Sequence, residues 1–154
     1  MLEIGDRAPE FTLPDHTGQE RSLTSFLGDS ALVLYFYPAD FTPGCTREAC
    51  QLRDIHDQLR RAKLKVVGVS PQDPASHARF REKYALPFTL LSDTDKSVIR
   101  MYQLDGPLGI GVRRGTYLID GGRRVKAALL ADFRIGRHVR FVQQVILLRE
   151  RSSR

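Results

Sequence analysis

The stretch from residue 31 to residue 50 constrains the fold of this chain more than any other segment does. Residues 31–37 form a continuous apolar run of strand length, which is typical of a strand buried on both faces of a sheet. Thr42 and Pro43 follow, and this pair favours a helix start because threonine caps helices well and proline fits the first helical position. The sequence therefore predicts a buried central strand that leads directly into a helix at residue 43.

Both cysteines of the chain lie at this helix, Cys45 in its first turn and Cys50 further along. Unpaired backbone N–H groups and the positive end of the helix dipole favour an anion in the first turn, and the thiolate is the reactive form of cysteine. In a continuous helix the two residues would be about 7.5 Å apart along the axis and about 140° apart around it. A disulfide needs Cα atoms no more than about 6.8 Å apart, so the spacing predicts a pair that bonds only when the helix unwinds locally.

The remainder of the chain alternates between strand patterns and helix patterns, with no internal repeat or linker. The predicted strands cover residues 11–14, 20–23, 31–37, 65–70, 89–92, 116–119 and 125–130. The predicted helices cover residues 43–62, 74–84 (capped by Asp73), 95–101 and 137–149. This order predicts an α/β protein with a thioredoxin-like fold, in which helices flank a central mixed β-sheet. We expect one domain over residues 1–154, with a basic tail that begins near residue 149.

Charge and composition restrict the binding partners and the cellular compartment that the sequence predicts. The chain has 24 basic and 18 acidic residues, but no nucleic-acid recognition motif and no tryptophan, so we predict no specific nucleic-acid partner. No segment approaches the roughly 20 apolar residues of a membrane span, and the N-terminus lacks the pattern of a secretory signal. Two cysteines whose spacing disfavours a static disulfide fit a reducing compartment. The sequence thus predicts a cytoplasmic protein without a membrane partner.

The sequence offers no pattern for a metal or a bound cofactor. Cys45 and Cys50 lack the spacing of a zinc site. The histidines fall on separate predicted elements, at positions His16, His56, His77 and His138. The glycines of residues 105–113 do not stand between a strand and a helix, as a phosphate-binding loop requires, and predict a flexible loop near the cysteine helix. We therefore predict neither a metal nor a cofactor.

The string Thr-Pro-Gly-Cys-Thr-Arg-Glu-Ala-Cys at residues 42–50 resembles the active-site signature of the peroxiredoxins. Within that family it is similar to the bacterioferritin comigratory protein, or PrxQ, group. Further segments that resemble this group lie at residues 5–13, 68–70, 80–84, 86–88, 90–93 and 114–120. The resemblance covers nearly the whole chain.

This resemblance implies a thiol peroxidase of the atypical two-cysteine type, which reduces hydrogen peroxide and small organic hydroperoxides. Cys45 matches the peroxidatic residue, which becomes a sulfenic acid. Cys50 matches the resolving residue, which condenses with the sulfenic acid to an intramolecular disulfide that a thioredoxin-type reductant then opens. The resemblance also implies a monomer or a weak homodimer.

Four further residues gain roles from the same resemblance. Thr42 matches the threonine whose hydroxyl helps to hold the sulfur and the peroxide, and Pro43 the proline that shields the thiol from water. Arg114 matches the arginine that stabilises the thiolate and the charge on the leaving oxygen, and Glu48 the glutamate that positions this arginine. Arg113 stands beside Arg114, and Arg114 is preferred because its offset from the following strand fits the resemblance.

Two other functions remain open on the residues alone. The first is a thiol–disulfide oxidoreductase of the same fold, although that activity usually depends on a Cys-x-x-Cys motif, which this chain lacks. The second is a non-catalytic basic binding or holdase protein. Structural explanations also remain for single residues: Cys45 as a small buried apolar residue, Cys50 as helix packing and Glu48 as a solvated helix residue.

Overall fold

The computed structural model describes residues 1–132 and 134–152 of the chain. Its strands are β1 (Thr12–Pro14), β2 (Glu20–Ser22), β3 (Ala31–Phe36), β4 (Leu64–Ser70), β5 (Thr89–Ser92), β6 (Gly115–Ile119) and β7 (Val125–Leu130). Its α-helices are α1 (Pro43–Asp54), α2 (His56–Arg61), α3 (Pro74–Tyr84), α4 (Ser97–Met101) and α5 (Gly136–Ser152). No helix within the described ranges is long and apolar enough to cross a membrane.

The main sheet has the strand order β5-β4-β3-β6-β7, with β3 at its centre. Strand β3 runs parallel to β4 and antiparallel to β6, while β1 and β2 form a separate antiparallel pair. The parallel neighbours are joined by helical crossovers, because parallel strands cannot be linked by a tight turn. The mixed sheet with flanking helices confirms the predicted α/β class.

The side chains of β3 alternate between the two faces of the sheet, as the two-residue period of a strand requires. Leu32 and Leu34 join an apolar cluster on one face, whereas Val33 and Tyr35 join a second cluster on the other. Every residue of β3 is buried, which confirms the predicted central strand.

Helices α1 and α5 cover the second face of the sheet together. Ala49 and Leu52 of α1 and Val142 and Val145 of α5 belong to the same apolar cluster as Tyr35. Both cysteines lie on α1, and Cys45 belongs to the cluster between the sheet and these two helices.

The single helix predicted over residues 43–62 is wrong, because the chain forms two helices that are separated at Ile55. Ile55 has φ −105° and ψ 11°, outside helical geometry, and its β-branched side chain has a low helix propensity. The break turns the chain so that Leu59 and Ala62 reach the second apolar cluster just before β4 begins. Helix α1 therefore ends only four residues after Cys50.

Two predicted helix boundaries also need correction. The helix predicted from residue 95 begins only at Ser97, because Lys96 adopts a left-handed φ of 60°. At the other end, α5 continues through Ser152, so the predicted basic tail from about residue 149 is helical as far as it is described. Arg149 donates from Nε to the Ala62 carbonyl at 2.8 Å, which ties this last turn to the body of the protein. Residues 153 and 154 of the predicted tail lie outside the described residues.

Candidate active site

Cys45 lies in the first turn of α1, where the chain leaves the carboxyl end of β3. Pro43 is the first helical residue and Thr42 precedes it with extended backbone angles, as the sequence predicted. The Cys45 side chain is only 2% exposed and packs in the cluster that contains Tyr35 and Ala49. A sulfur in this place meets the unpaired amide groups at the start of the helix, which favour negative charge.

Arg114 brings a fixed positive charge to this sulfur. Its Nη2 lies 3.2 Å from Cys45 Sγ, and its Nη1 donates to Glu48 Oε1 at 2.9 Å. The sheet makes this meeting possible, because Gly115 of β6 pairs with Phe36 at the end of β3. Burial lowers the pKa of Arg114, but Glu48 and Cys45 outweigh that effect and raise it, so the guanidinium stays charged.

Glu48 is fully buried, so its interpretation as a solvated helix residue is wrong. Burial raises the pKa of Glu48 from 4.5 to about 7, and the attraction of Arg114 only partly opposes this rise. Its Oε2 has no hydrogen-bond partner among the described residues, and His138 Nδ1 lies 3.7 Å from it. The carboxyl group is thus close to its protonation midpoint at neutral pH.

The two neighbouring arginines have different partners. The Arg113 guanidinium is turned to Asp132, with Nη2 at 2.9 Å from Oδ2, and its side chain is 44% exposed. The backbone N–H of Arg114 donates to Oδ1 of the same aspartate at 2.9 Å. Asp132 therefore holds Arg113 away from the sulfur while it fixes the backbone of Arg114, in agreement with the preference for Arg114.

Thr42 and Pro43 are both exposed at the mouth of this site. The Thr42 hydroxyl donates to the Ala39 carbonyl at 3.0 Å and makes no side-chain capping bond to α1, so the predicted cap is present in backbone conformation only. The described hydrogen bonds do not join Thr42 to Cys45. The roles of Thr42 and Pro43 in holding a peroxide and shielding the thiol stay predictions.

Cys50 lies about 1.4 turns beyond Cys45 on the intact helix and is partly exposed. Both cysteines are free. Because α1 is continuous from residue 43 to residue 54, the helical separation of the two sulfurs that the sequence predicted applies to this state.

Gly44 is a residue whose importance the sequence analysis missed. A Cβ atom at this position would lie 2.7 Å from Ile135 Cδ1 and 3.3 Å from Arg114 Nη2. The absence of a side chain therefore lets the guanidinium approach the first turn of α1. A glycine next to the cysteine in a helical position was the only indication in the sequence.

The turn before α1 is anchored by a buried polar network that sequence analysis also missed. Asp40 accepts hydrogen bonds from the Tyr37 hydroxyl at 2.6 Å and the Ser76 hydroxyl at 2.7 Å, and His77 Nδ1 lies 2.7 Å from its Oδ2. Burial favours the neutral acid, but these bonds outweigh it and hold the pKa of Asp40 below its usual value. The anchor fixes a turn in which Phe41 adopts a left-handed φ of 65°.

A groove of about 590 Å³ opens beside Arg114. Its wall is formed by residues 106, 107 and 110–114 together with Pro38 and Asp132, and it includes the apolar side chains of Ile110 and Val112. Gly106 lines this wall, and the position requires glycine because a Cβ there would overlap the Ile110 carbonyl oxygen. The glycine-rich loop therefore borders the active site, as its position in the sequence indicated.

Within residues 1–132 and 134–152, no group of three or more His, Cys, Asp or Glu side chains is arranged to hold a metal ion. The groups linked to the Cys45 thiol are the Arg114 guanidinium, the Glu48 carboxyl group and the His138 imidazole.

A buried thiol that an arginine contacts at the start of a helix, on a thioredoxin-like sheet, defines a thiol-based redox enzyme. The sequence profile of the AhpC/TSA family matches residues 4–128. Peroxiredoxin Bcp of Escherichia coli is 41% identical over 143 residues, which cover 89% of this chain and 90% of that protein. Chloroplastic peroxiredoxin Q of Gentiana triflora is 41% identical over 136 residues, 88% of this chain and 62% of that protein.

Solved structures agree with these sequence matches. Peroxidoxin BcpB of Mycobacterium tuberculosis superposes with a TM-score of 0.88 at 34% identity, covering 100% of this chain and 99% of that one. The bacterioferritin comigratory protein of Xanthomonas campestris gives a TM-score of 0.82 at 28% identity, with 90% of each chain covered. The chain belongs to the AhpC/TSA family and is a thiol peroxidase of the peroxiredoxin type, as its residues 42–50 predicted.

Proposed function

We propose that the chain reduces hydroperoxides at Cys45, that Cys50 resolves the oxidised thiol, and that a thioredoxin-type reductant restores both cysteines. The observation that carries this proposal is the 3.2 Å contact between Arg114 Nη2 and Cys45 Sγ in the buried first turn of α1. The contact favours the thiolate, which is the nucleophile, and keeps a positive charge beside the reacting oxygens.

In the first step the Cys45 thiolate attacks one peroxide oxygen and the O–O bond breaks. The second oxygen leaves as hydroxide or alkoxide and takes up a proton to give water or an alcohol. Cys45 is oxidised to a sulfenic acid while the peroxide is reduced. Arg114 stabilises the thiolate and then the charge on the leaving oxygen, and Glu48 positions Arg114. Thr42 and Pro43 hold the peroxide and shield the sulfur.

In the second step the Cys50 thiol attacks the sulfenic sulfur, a disulfide forms and water leaves. The intact helix separates the two residues by about 7.5 Å along its axis, so α1 must unwind between them before the bond can form. The partial exposure of Cys50 and the helix break at Ile55 support such an opening, since only four residues of α1 follow Cys50. A thioredoxin-type dithiol then restores both thiols by exchange.

The proposed substrates are hydrogen peroxide and small organic hydroperoxides. The apolar side chains of Ile110 and Val112 in the groove beside Arg114 support room for an alkyl group. The structural work on the Xanthomonas campestris relative concerns the alkyl peroxide reduction activity of that protein. We further propose a cytoplasmic monomer or weak homodimer with no specific nucleic-acid or membrane partner.

Peroxide consumption driven by thioredoxin, thioredoxin reductase and NADPH tests this proposal. The wild type should turn over continuously, and Cys45→Ser should consume nothing because the attacking sulfur is gone. Cys50→Ser is the matched control, since it keeps the first step: it should consume about one equivalent and then stop. Full turnover by Cys50→Ser would refute the resolving role, and consumption by Cys45→Ser would refute the assignment of the peroxidatic residue.

The same assay distinguishes the alternatives that the sequence left open. A thiol–disulfide oxidoreductase would reduce a protein disulfide in the presence of thioredoxin reductase without consuming peroxide. A basic binding or holdase protein would do neither and would be indifferent to both cysteine substitutions.

A further inference from the structure

His138 is a buried histidine at the start of α5, beyond residues 4–128 that the AhpC/TSA profile matches. It is 1% exposed, and its two ring nitrogens face different partners. Nε2 lies 2.8 Å from the Ala131 carbonyl oxygen, and Nδ1 lies 2.8 Å from the Thr116 hydroxyl. The same Nδ1 lies 3.7 Å from Glu48 Oε2.

These contacts define which nitrogen of His138 is able to titrate. A carbonyl oxygen only accepts, so Nε2 must carry a hydrogen in every state. The Thr116 hydroxyl either donates or accepts, so it tolerates Nδ1 with or without a proton. Nδ1 is therefore the nitrogen that gains or loses a proton, and it faces the one oxygen of Glu48 that has no hydrogen-bond partner among the described residues.

A continuous chain of contacts thus runs from the peroxidatic sulfur to α5. Cys45 Sγ contacts Arg114 Nη2, Arg114 Nη1 donates to Glu48 Oε1, and Glu48 Oε2 faces His138 Nδ1. With a thiolate, a guanidinium, a carboxylate and a neutral imidazole, this buried cluster has a net charge of about −1. One added proton on Glu48 or His138 makes the cluster neutral, which burial favours.

We propose that His138 is a positioning residue for the peroxidatic centre. It shares one titratable proton with Glu48, and this proton controls how strongly Arg114 interacts with Cys45. Without this proton the guanidinium is divided between the Glu48 carboxylate and the Cys45 thiolate. With it, the carboxylate charge is cancelled and the guanidinium is free to stabilise the thiolate. The inference rests on the proposed reaction at Cys45.

The surroundings of the pair agree with a shared proton. Glu48 also faces Tyr35 and Cys45, and His138 also faces Arg137 and Asp132. Burial raises the pKa of Glu48 to about 7 and lowers the pKa of His138, so burial favours the neutral form of both side chains. Two buried groups in such contact titrate as a pair and not as separate residues.

The test is the pH profile of single-turnover oxidation of Cys45 by hydrogen peroxide, measured in Cys50→Ser protein so that resolution does not contribute. His138→Gln keeps a donor for Ala131 and an acceptor for Thr116 but has no titrating nitrogen. Below about pH 7 we expect this variant to react about five- to tenfold more slowly than its parent, because without His138 Nδ1 only Glu48 is left to hold the shared proton and holds it less often. At higher pH, where neither protein holds this proton, the two should react equally fast. His56→Gln, on a half-buried histidine of α2, is the matched control and should follow the parent profile.

A His138→Gln profile identical to the parent, or reduced by the same factor at every pH, would overturn the proposal. A residue with a purely structural role would change the oxidation rate equally at every pH. Should His138→Gln not fold, Glu48→Gln tests the same proton. This variant must also abolish the pH-dependent change in oxidation rate that the shared proton causes. A Glu48→Gln profile that keeps this change would overturn the proposal. The ¹⁵N shifts of His138 in wild-type protein give a readout without mutation, with the Nε2–H tautomer expected at high pH. A parent protein that does not react with peroxide at all would instead contradict the proposed function.

Discussion

At the scale of single residues, the sulfur of Cys45 depends on the positive charge of Arg114, which also contacts Glu48. Arg114 contacts Cys45 and Glu48 with its two terminal nitrogens, at 3.2 Å and 2.9 Å. All three side chains are buried, so each contact is stronger than it would be in water and each lost partner costs more. Gly44 is part of this arrangement, because any side chain there would meet Arg114 and Ile135.

Arg114→Ala should slow the oxidation of Cys45 by about 10²- to 10³-fold, the usual effect of removing one donor that stabilises charge in a shielded site. Arg113→Ala is the matched control one residue away, and it should change the rate by less than about threefold because its exposed ion pair with Asp132 contributes little. Stopped-flow measurement of Cys45 oxidation by hydrogen peroxide compares the two. A larger effect of Arg113→Ala would show that the wrong arginine has been assigned.

At the scale of elements, helix α1 has two opposed tasks. In the proposed cycle it must hold Cys45 against Arg114 during peroxide attack, and it must open so that Cys50 can reach the oxidised sulfur. Packing against α5 through Ala49 and Leu52 favours the closed helix, and the Asp40 network keeps the preceding turn in place. The break at Ile55 and the burial of Glu48 favour the opening of the helix.

The burial of Glu48 makes the stability of α1 depend on pH. Its pKa is raised from 4.5 to about 7 in the folded helix, so the folded state binds the proton more tightly than the opened state does. The associated stability is fully present below about pH 4.5, declines as the pH rises and is lost above about pH 7. We expect hydrogen-exchange protection factors of α1 in the reduced protein to fall across this range, by at most about tenfold per pH unit.

Glu48→Gln is the control for this prediction, since it keeps the size of the side chain and an acceptor for Arg114 without a titrating group. Its protection factors in α1 should stay level across the range, converging with the wild type below about pH 4.5 and exceeding it at neutral pH. Equal slopes in the two proteins would exclude Glu48 as the source of the dependence.

At the scale of the whole molecule, the sheet decides which distant residues meet. Local sequence patterns were sufficient to predict β3, the start of α1 at Pro43 and the mixed α/β architecture, because these features depend on residues that are neighbours in the sequence. They did not suffice for the meeting of His138 with Glu48, which depends on how α5 lies across α1. Nor did they reveal the Asp40 anchor, whose histidine partner comes from α3.

The errors in the sequence analysis have the same origin. The helix break at Ile55 follows mainly from the direction that the chain must take to reach β4. The low helix propensity of Ile55 is too weak a signal to predict it, and the apolar period of residues 43–62 continues through the break. The burial of Glu48 follows from two long-range contacts, one with Arg114 just before β6 and one with the N-terminal turn of α5. The resemblance at residues 42–50 thus predicted the chemistry together with Arg114 and Glu48, whereas the contributions of His138 and the Asp40 anchor required the tertiary structure.

Peptide mass mapping of the protein after treatment with one equivalent of hydrogen peroxide tests the central claim most directly. The proposed cycle predicts a peptide pair joined by a Cys45–Cys50 disulfide in the wild type, and a sulfenic acid at Cys45 alone in Cys50→Ser. Oxidation that begins at Cys50, or two cysteines that stay reduced while peroxide remains, would contradict the assignment of Cys45 as the reacting thiol.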